Sequence, residues 1–237
     1  MSGPFGRALR DHFHDERTDP LVQFDGEQRR DHPVEEFYFE SFDPEPGGEA
    51  WIDSQLSGPL LDVGAGAGRD ALSFQEEFEM VAIEPSEELV ALMDERGVAD
   101  AREGDMFELP GQFGAGRFDS LLVRGTQLGL AKSMPGLQSL LSDFTAVTTD
   151  DGTALVDCYD PTDEGIDTLL GYRSDEAEGL AFRVMSFEYE GEVGETLLFR
   201  LFSPERLRAA AAETPWTVAD VQESPESSYY MAALQKE

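Results

Sequence analysis

The chain of 237 residues carries 50 acidic and 17 basic side chains, which gives a formal net charge of −33 at neutral pH. Its apolar fraction of 40% is sufficient for the core of one domain of ordinary size. A charge this negative excludes the basic surface that nucleic-acid binding requires, so we expect no nucleic-acid partner. The sequence has neither the apolar core of a signal peptide nor an apolar window of membrane-spanning length, so we expect no membrane partner.

The choice and distribution of the charged residues indicate a protein adapted to high salt. Fifteen of the basic residues are arginine, and only Lys132 and Lys236 are lysine. The acids are spread along the whole chain, in a pattern that resembles proteins of salt-loving archaea. At molar salt the Debye length shrinks to about 3 Å, which screens the repulsion between such charges. We therefore expect a haloarchaeal, halophilic protein. The single cysteine, Cys158, permits no intrachain disulfide and favours a cytoplasmic location.

Residues 1–58 are polar with aromatic clusters, and we expect them to form an N-terminal helical cap. From residue 59 onward, short apolar runs alternate with amphipathic segments, a rhythm that predicts an α/β domain with a doubly wound, mostly parallel sheet over residues 59–237. The expected strands are PLLDV, MVAIE, VADAREGD, FDSLLVR and TALVDCY. The expected helices between them are GRDALSFQEEF, PSEELVALMDERG and SMPGLQSLLSDFTAVTTDDG.

The rhythm changes after Pro161. A β-hairpin insertion is predicted at about 179–202, followed by a helix that begins near Ser203 and Pro204. Two strand-like runs, WTVADVQE and SSYYMAALQ, close the chain and are expected to pair in an antiparallel manner. The hairpin has the composition of either a lid over an acceptor or a dimer surface, and the oligomeric state stays open between a monomer and a dimer.

A cluster of glycines follows the first of these strands, in the stretch LLDVGAGAGRDAL. Glycines 64, 66 and 68 allow a ligand to approach the backbone closely. Asp62, Glu84 and Asp105 stand at the carboxyl ends of the first three strands, which meet at one crevice of a doubly wound sheet. Glu84 lies 20 residues after Gly64, a spacing that suits a carboxylate on a ribose, and Asp105 is placed to reach an adenine amino group.

Two adenosine-containing ligands fit this outline. A nicotinamide dinucleotide favours the pattern G-x-G-x-x-G/A, which Gly66, Gly68 and Ala71 match. Asp62 would then lie beside a doubly charged pyrophosphate, an arrangement that is electrostatically unfavourable. S-adenosylmethionine carries a positive sulfonium and an ammonium group, both of which favour nearby acids. The charge argument therefore selects S-adenosylmethionine, and an NAD(P)-dependent oxidoreductase remains the alternative.

Four ordered motifs resemble the class I S-adenosylmethionine-dependent methyltransferases over residues 59–160: LLDVGAGAGRDAL, VAIEPSEELVALM, REGDMFELP and GRFDSLLVRGTQLGLA. The resemblance implies a Rossmann-like fold with a seven-stranded sheet whose last strand is antiparallel, and methyl transfer by in-line displacement. It also implies a cofactor site that consists of Asp62, Gly64, Ala65, Gly66 and Gly68 around the methionine part, Glu84 and Pro85 at the ribose, and Asp105 and Met106 at the adenine.

The segment RGTQLGLA lacks the N/D-P-P-Y/F pattern and a Pro-Cys pair, and it is similar to the corresponding loop of methyltransferases that act on small molecules. The candidate substrate residues are Arg124, Gln127, Tyr159, Asp160 and Tyr38. Arg124 is suited to a substrate carboxylate or, equally, to an ion pair with a nearby acid. No residue is assigned as a general base, and His12 and His14 are not expected to bind a metal. A protein that binds S-adenosylmethionine without transferring a methyl group is a further alternative.

Overall fold

A computed structural model describes residues 3–45, 49–225 and 227–236. Over these residues the helices are α1 (Pro4–Phe13), α2 (Val34–Tyr38), α3 (Ala50–Gln55), α4 (Arg69–Phe74), α5 (Glu87–Arg96), α6 (Leu109–Gln112), α7 (Met134–Val147) and α8 (Pro204–Ala211). The strands are β1 (Val22–Asp25), β2 (Gln28–Asp31), β3 (Leu60–Val63), β4 (Met80–Glu84), β5 (Ala101–Glu103), β6 (Phe118–Val123), β7 (Thr148–Tyr159), β8 (Tyr172–Ser174), β9 (Leu180–Tyr189), β10 (Glu192–Val193), β11 (Leu197–Phe202), β12 (Trp216–Glu223) and β13 (Tyr229–Lys236).

A seven-stranded sheet forms the centre of the molecule, with the strand order β12-β13-β7-β6-β3-β4-β5. Strands β5, β4, β3, β6 and β7 run parallel to one another, whereas β13 is antiparallel to both of its neighbours, β7 and β12. The Rossmann-like α/β fold is thereby confirmed, with a mixed sheet. All residues of β3 and β4 are buried, as expected for central strands that helices cover on both faces.

Local sequence explains where the flanking helices lie. The Ser86 hydroxyl accepts a hydrogen bond from the Leu89 amide at the start of α5, and Ser133 and Ser203 cap α7 and α8 in the same manner. The apolar stripe of α7 is fully buried and consists of Leu137, Leu140, Leu141, Phe144 and Val147. These side chains join those of β6 and β7 in the largest hydrophobic cluster. The helices therefore fix the sheet whose strand ends form the site.

A second, antiparallel sheet surrounds the long strand β9. Strands β11 and β8 both pair with the first half of β9, and β1 and β10 pair with its second half. Strand β1 also pairs with β2, so the N-terminal residues and residues 172–202 share one sheet. This sheet lies next to the carboxyl ends of the parallel strands, where it contributes to the same cavity as those ends.

The predicted N-terminal helical cap is corrected by strands β1 and β2. Residues 4–55 contain three helices, but they also contain a hairpin that turns at Gly26 and Glu27. Asp25-Gly26 is a sequence that favours two-residue hairpin turns, a signal that the composition-based interpretation of this segment overlooked. The N-terminal segment is therefore joined to β9 by backbone pairing, at Phe24 opposite Ser186. In the described part of the chain, no helix combines the length and apolarity needed to cross a membrane.

Candidate functional site

A cavity of about 1880 Å³ separates the two sheets. One wall consists of the carboxyl ends of β3, β4, β6 and β7 and the loops that follow them. The opposite wall consists of β1, β2, β9 and β11, and the N-terminal turn of α1 together with α2 closes the remaining side. Ligand pockets for drug-sized molecules typically measure about 300–1,000 Å³, so this cavity has room for two ligands side by side.

The glycine loop after β3 lies flat against the end of β4. The backbone amides of Gly64 and Ala65 both donate to the Ile83 carbonyl, at 2.9 and 3.0 Å. Gly64 has a φ of +71°, and a Cβ added there would meet the Gln127 side chain at 2.8 Å. Gln127 therefore packs directly on the loop, and a side chain at residue 64 would require Gln127 to move and would be strained at this φ. Gly64, Ala65 and Gly66 all line the cavity.

Two buried carboxylates face the cavity from this wall. Asp62 is 4% exposed and Glu84 is 8% exposed, and neither has a basic partner within ion-pair distance among the described residues. Burial raises the pKa of Asp62, and the neighbouring charges of Asp70 and Glu84 raise it further. Burial also raises the pKa of Glu84 to about 7, against the opposing effect of hydrogen bonds from the Gly66 and Ser86 amides at 3.2 and 3.3 Å. Such a wall stabilises a positively charged ligand.

Arg124 is held by acids of the protein itself. Its Nη1 atom lies 3.1 Å from both carboxylate oxygens of Asp70, and its Nη2 atom lies 2.5 Å from Glu49. Arg69 pairs with the same two acids, which completes a four-residue cluster. Of the two interpretations left open for Arg124, the geometry agrees with the ion pair, because the guanidinium already has carboxylate partners.

Asp157 is a buried site residue that sequence reasoning missed. Its carboxylate accepts hydrogen bonds from the Gly125 amide at 2.7 Å, the Thr126 amide at 2.5 Å and the Tyr229 hydroxyl at 2.7 Å. Both Gly125 and Thr126 have positive φ values, so Asp157 holds a loop in an unusual conformation. The signal available in the sequence was its place near the end of β7, one residue before the fully buried Cys158.

A chain of hydrogen bonds links the antiparallel sheet to α2. Arg183 donates to Oε1 of Gln23 at 3.1 Å, the Gln23 amide nitrogen lies 2.9 Å from His32 Nδ1, and His32 Nε2 lies 2.9 Å from the Tyr38 hydroxyl. Burial and the charge of Arg183 lower the pKa of His32 to about 4, so the imidazole is neutral. Because Arg183 fixes the Gln23 oxygen as an acceptor, the amide donates to Nδ1, and His32 Nε2–H donates to Tyr38.

Tyr38 lies over the glycine loop, and hydrogen bonds from Arg96 and His32 hold it there. Its ring is 3.5 Å from the position that a Cβ on Gly66 would occupy, and its hydroxyl proton is left free for a partner in the cavity. Arg96 donates to the carbonyl oxygens of both Tyr38 and Ala67, so it ties α2 to the glycine loop. Arg96 has no place in any of the motifs, and only the tertiary structure reveals its role.

The structure brings together most, but not all, of the predicted site residues. The cavity is lined by Asp62, Gly64, Ala65, Gly66, Glu84, Pro85, Tyr38, Arg124, Gln127 and Tyr159. Gly68 packs instead against the end of α5 and the residues after it, where an added Cβ would lie 2.9 Å from Met93 and 2.7 Å from Val98. Asp105 is exposed and accepts from the Phe107 amide at 2.9 Å, as a turn cap does, and Met106 is buried. Asp160 lines an adjoining cavity of about 810 Å³. These four residues do not line the main cavity.

His12 and His14 do not meet at a common site. The Nε2 atom of His12 lies 2.6 Å from Glu35, and that of His14 lies 3.0 Å from Glu95. Across the described ranges, no three His, Cys, Asp or Glu side chains are grouped as metal ligands would be.

Comparison with known proteins identifies the central part of the chain. Residues 61–156 match the family described as Methyltransferase domain. A crystal structure of a SAM-dependent methyltransferase from Bacteroides fragilis in complex with S-adenosyl-L-homocysteine aligns with a TM-score of 0.77 and 26% identity, over 98% of this chain and 94% of that chain. Comparison with curated proteins finds no match.

Two further solved structures share the fold at lower identity. The CcbJ methyltransferase from Streptomyces caelestis aligns with a TM-score of 0.60 and 16% identity, over 79% of this chain and 87% of that chain. The 1,6-didemethyltoxoflavin-N1-methyltransferase of Burkholderia thailandensis aligns with a TM-score of 0.51 and 22% identity, over 75% and 70% of the two chains.

The fold, the glycine loop with its buried acids, and these likenesses agree on one class of protein: the chain is an enzyme with a methyltransferase domain. Its cofactor is S-adenosylmethionine, and its activity is S-adenosylmethionine-dependent methyl transfer.

Proposed function

We propose that this enzyme methylates a small-molecule acceptor bound between the two sheets. The observation that carries the proposal is the size and construction of the cavity, in which the glycine loop and Glu84 form one wall and the antiparallel sheet forms the other. A protein that only bound the cofactor would need no room for a second ligand beside it. The Burkholderia thailandensis neighbour binds a small molecule, 1,6-didemethyltoxoflavin, which supports an acceptor of this class here.

The residues of the strand-end wall suit the cofactor. The buried carboxylate of Asp62 lacks a basic partner in the part of the chain that the structure describes, and a cationic ligand offsets the cost of burying such a charge. Asp62 with Gly64, Ala65 and Gly66 would hold the methionine part, and Glu84 with Pro85 the ribose. When bound, the cofactor supplies a methyl group activated on a positive sulfonium.

The assignment of Asp105 and Met106 to the adenine stays a proposal that the cavity lining does not support, since both residues lie outside it. The same applies to Gly68, which packs on α5.

The remaining residues of the site position the acceptor and exclude water. Asp157 fixes the loop that carries Gln127, and Tyr38 covers the glycine loop while Arg96 prevents it from moving away. In-line displacement depends mainly on the alignment of the acceptor and on a dry site, so a rigid loop and a locked tyrosine are the contributions that this chain makes. Gln127 and Tyr159 line the space next to the cofactor wall, where an acceptor would contact them.

We also propose a halophilic, haloarchaeal and cytoplasmic protein. The net charge of −33 and the near absence of lysine support the first two properties, and the single buried cysteine supports the third. Residues 1–58 would form the cap of a domain that extends over 59–237, with the insertion at about 179–202 facing the acceptor.

Titration calorimetry in about 2–3 M KCl tests the proposal, with S-adenosylhomocysteine and NADH compared side by side. We expect saturable binding of S-adenosylhomocysteine alone. A screen of small-molecule acceptors with S-adenosylmethionine should then yield a methylated product by mass spectrometry. Binding of NADH alone would contradict the cofactor. Tight binding of S-adenosylhomocysteine, with no acceptor in the screen binding beside it or being methylated, would favour a protein that binds the cofactor without catalysis.

A further inference from the structure

One buried arginine of the cavity has no carboxylate partner. Arg183 is 8% exposed, and its guanidinium donates to Oε1 of Gln23 and to the Leu170 carbonyl, each at 3.1 Å. No Asp or Glu among the described residues lies within ion-pair distance of it. Arg200, which is buried to a similar degree at 7% exposure, pairs with Asp175 at 2.8 Å. Arg183 is thus a buried cation that the protein leaves unneutralised, although the chain holds 50 acidic residues.

A second unpaired arginine lies on the same wall. Arg30, on the exposed strand β2, lines the cavity with Arg183, and the described residues offer its side chain neither an ion pair nor a hydrogen bond. Burial lowers the pKa of Arg183, and the nearby charge of Arg30 lowers it further. A buried cation without a counter-charge is unfavourable, and an anionic ligand in the cavity that both arginines line would relieve this cost.

The guanidinium of Arg183 retains capacity for a ligand. It carries five N–H groups, of which the bonds to Gln23 and Leu170 use two. Its central carbon lies 5.7 Å from the centroid of the Tyr159 ring, which also lines the cavity. Phe187 and Phe199 contribute apolar surface to the same side. The wall therefore combines a free planar cation with aromatic rings.

Both sides of the cavity carry charges of both signs. Asp62, Glu84, Asp157 and the ion-paired Arg124 lie at the strand ends, whereas Arg30, Arg183, Asp31, Glu192 and Glu195 lie on the side of the antiparallel sheet. Arg183 is the buried cation of this second side, and it has no carboxylate partner among the described residues. A cationic cofactor fits the first wall, so the second wall is left for the acceptor.

We propose that the acceptor carries a carboxylate or phosphate group that Arg183 and Arg30 bind, with its apolar part against Tyr159 and Phe187. This inference rests on the proposed function, because it names the chemical class of the acceptor in the same cavity. A planar guanidinium with free N–H groups matches the geometry of both anions. Arg10, Arg17, Arg96 and Arg206 also lack an ion pair among the described residues, but Arg183 differs from them in being buried.

Four small probes distinguish the charge that the wall prefers: benzoate, phenyl phosphate, benzamide and benzylamine. Each is titrated calorimetrically into the full-length enzyme saturated with S-adenosylhomocysteine. Chloride competes for the same N–H groups, so the lowest KCl concentration that preserves the native circular dichroism spectrum is used. We expect benzoate or phenyl phosphate to bind about 10- to 100-fold more tightly than benzamide, the range expected for a charge-assisted hydrogen bond. The comparison of benzoate with phenyl phosphate shows which anion the wall accepts.

Two variants and a matched control connect this preference to the arginines. Arg183→Gln and Arg30→Gln are expected to reduce the preference for the anion to about twofold or less. Arg29→Gln is the control, because Arg29 lies on the same strand, pairs with Glu188 and does not line the cavity. If Arg183 served only to orient Gln23, its replacement would weaken benzoate and benzamide equally. Since Arg30 is exposed, Arg30→Gln tests the proposal even where Arg183→Gln prevents folding.

Equal binding of benzoate, phenyl phosphate and benzamide, or tighter binding of benzylamine, would overturn the anionic acceptor. An unchanged anion preference in both variants would overturn it as well. The affinity for S-adenosylhomocysteine, measured in the same samples, separates this inference from the proposed function. Failure to bind S-adenosylhomocysteine contradicts the proposed function, whereas its binding without any preference for anionic probes contradicts the acceptor class alone.

Discussion

Cofactor affinity should depend on pH between 5 and 7 because of one buried carboxyl group. Glu84 is 8% exposed, and burial raises its pKa from 4.5 to about 7, although the amides of Gly66 and Ser86 donate to it. Ribose hydroxyl groups donate most favourably to the ionised carboxylate. Binding of the cofactor is therefore expected to lower the pKa of Glu84, and the group must lose its proton when the ligand binds below pH 7.

The size of the pH effect on affinity follows from the raised pKa of Glu84. A group with a pKa of about 7 is half ionised at pH 7 and about 1% ionised at pH 5, so the affinity for S-adenosylhomocysteine should fall about 50-fold between these pH values. The effect on stability has the opposite sign. The folded protein without ligand holds this proton more tightly than the unfolded chain, so its free energy of unfolding decreases by up to about 3 kcal/mol as pH rises from 4.5 through 7.

Calorimetry at pH 5–8, in buffers of different ionisation enthalpy, measures both the affinity and the number of protons released. Glu84→Ala should weaken S-adenosylhomocysteine by roughly 10²- to 10⁴-fold at pH 8, because two hydrogen bonds to a charged group are lost. Glu84→Gln is expected to behave similarly, because each carboxylate oxygen accepts a backbone N–H and an amide nitrogen would face one of these donors. Glu77→Ala, at an exposed position, is the control and should bind normally.

An affinity for S-adenosylhomocysteine that stays constant from pH 5 to pH 8 would refute this reasoning. The same conclusion would follow if Glu84→Ala kept the pH dependence of the natural protein, since the titrating group would then be another one. Asp62 is the candidate for such a residual effect, because burial raises its pKa too.

Three further predictions concern the loops and the surface. Gly64→Ala should weaken the binding of S-adenosylhomocysteine, because a φ of +71° is strained for alanine and its Cβ would displace the Gln127 side chain; calorimetry with normal affinity would contradict this. Asp157→Ala should lower the free energy of unfolding by about 3–5 kcal/mol, since three donors lose the buried carboxylate that accepts from them, and denaturant unfolding with a loss below about 1 kcal/mol would refute the role of Asp157. Lowering KCl from about 3 M to 0.1 M should decrease the melting temperature, because the net charge of −33 is then poorly screened; an unchanged temperature by circular dichroism would argue against halophilic adaptation.

The sequence was sufficient to predict the central sheet and the cofactor. The runs LLDV and MVAIE are apolar because both faces of their strands are covered, and this local property is visible without a structure. The glycines and the position of Glu84 are equally local, since the loop and the next strand end lie within about 25 residues. The predictions of the sheet and of the cofactor are confirmed because each depended on short-range patterns and on the crossover geometry of parallel strands, whereas the assignment of the glycines and Glu84 to the cofactor stays a prediction.

Local patterns did not decide which side chains complete the site. Gly68 belongs to the same motif as Gly64, yet it packs against the end of α5, where an added Cβ would lie 2.9 Å from Met93. Asp105 stands after a strand like the other two acids, but it caps its own turn. The motif spacing alone gives no information on which neighbour a residue meets.

The side of the cavity that the antiparallel sheet forms was decided by tertiary structure alone. Gln23 of β1 and Arg183 of β9 are 160 residues apart in the chain, and they meet because two strands pair across that separation. Such pairing is selected by the burial of both strands against the rest of the protein, a property of the whole fold that no single segment encodes. The sequence therefore determined the central sheet and the cofactor, because both depend on local patterns, whereas only the folded chain brings Arg183 to Gln23 on the other side of the cavity.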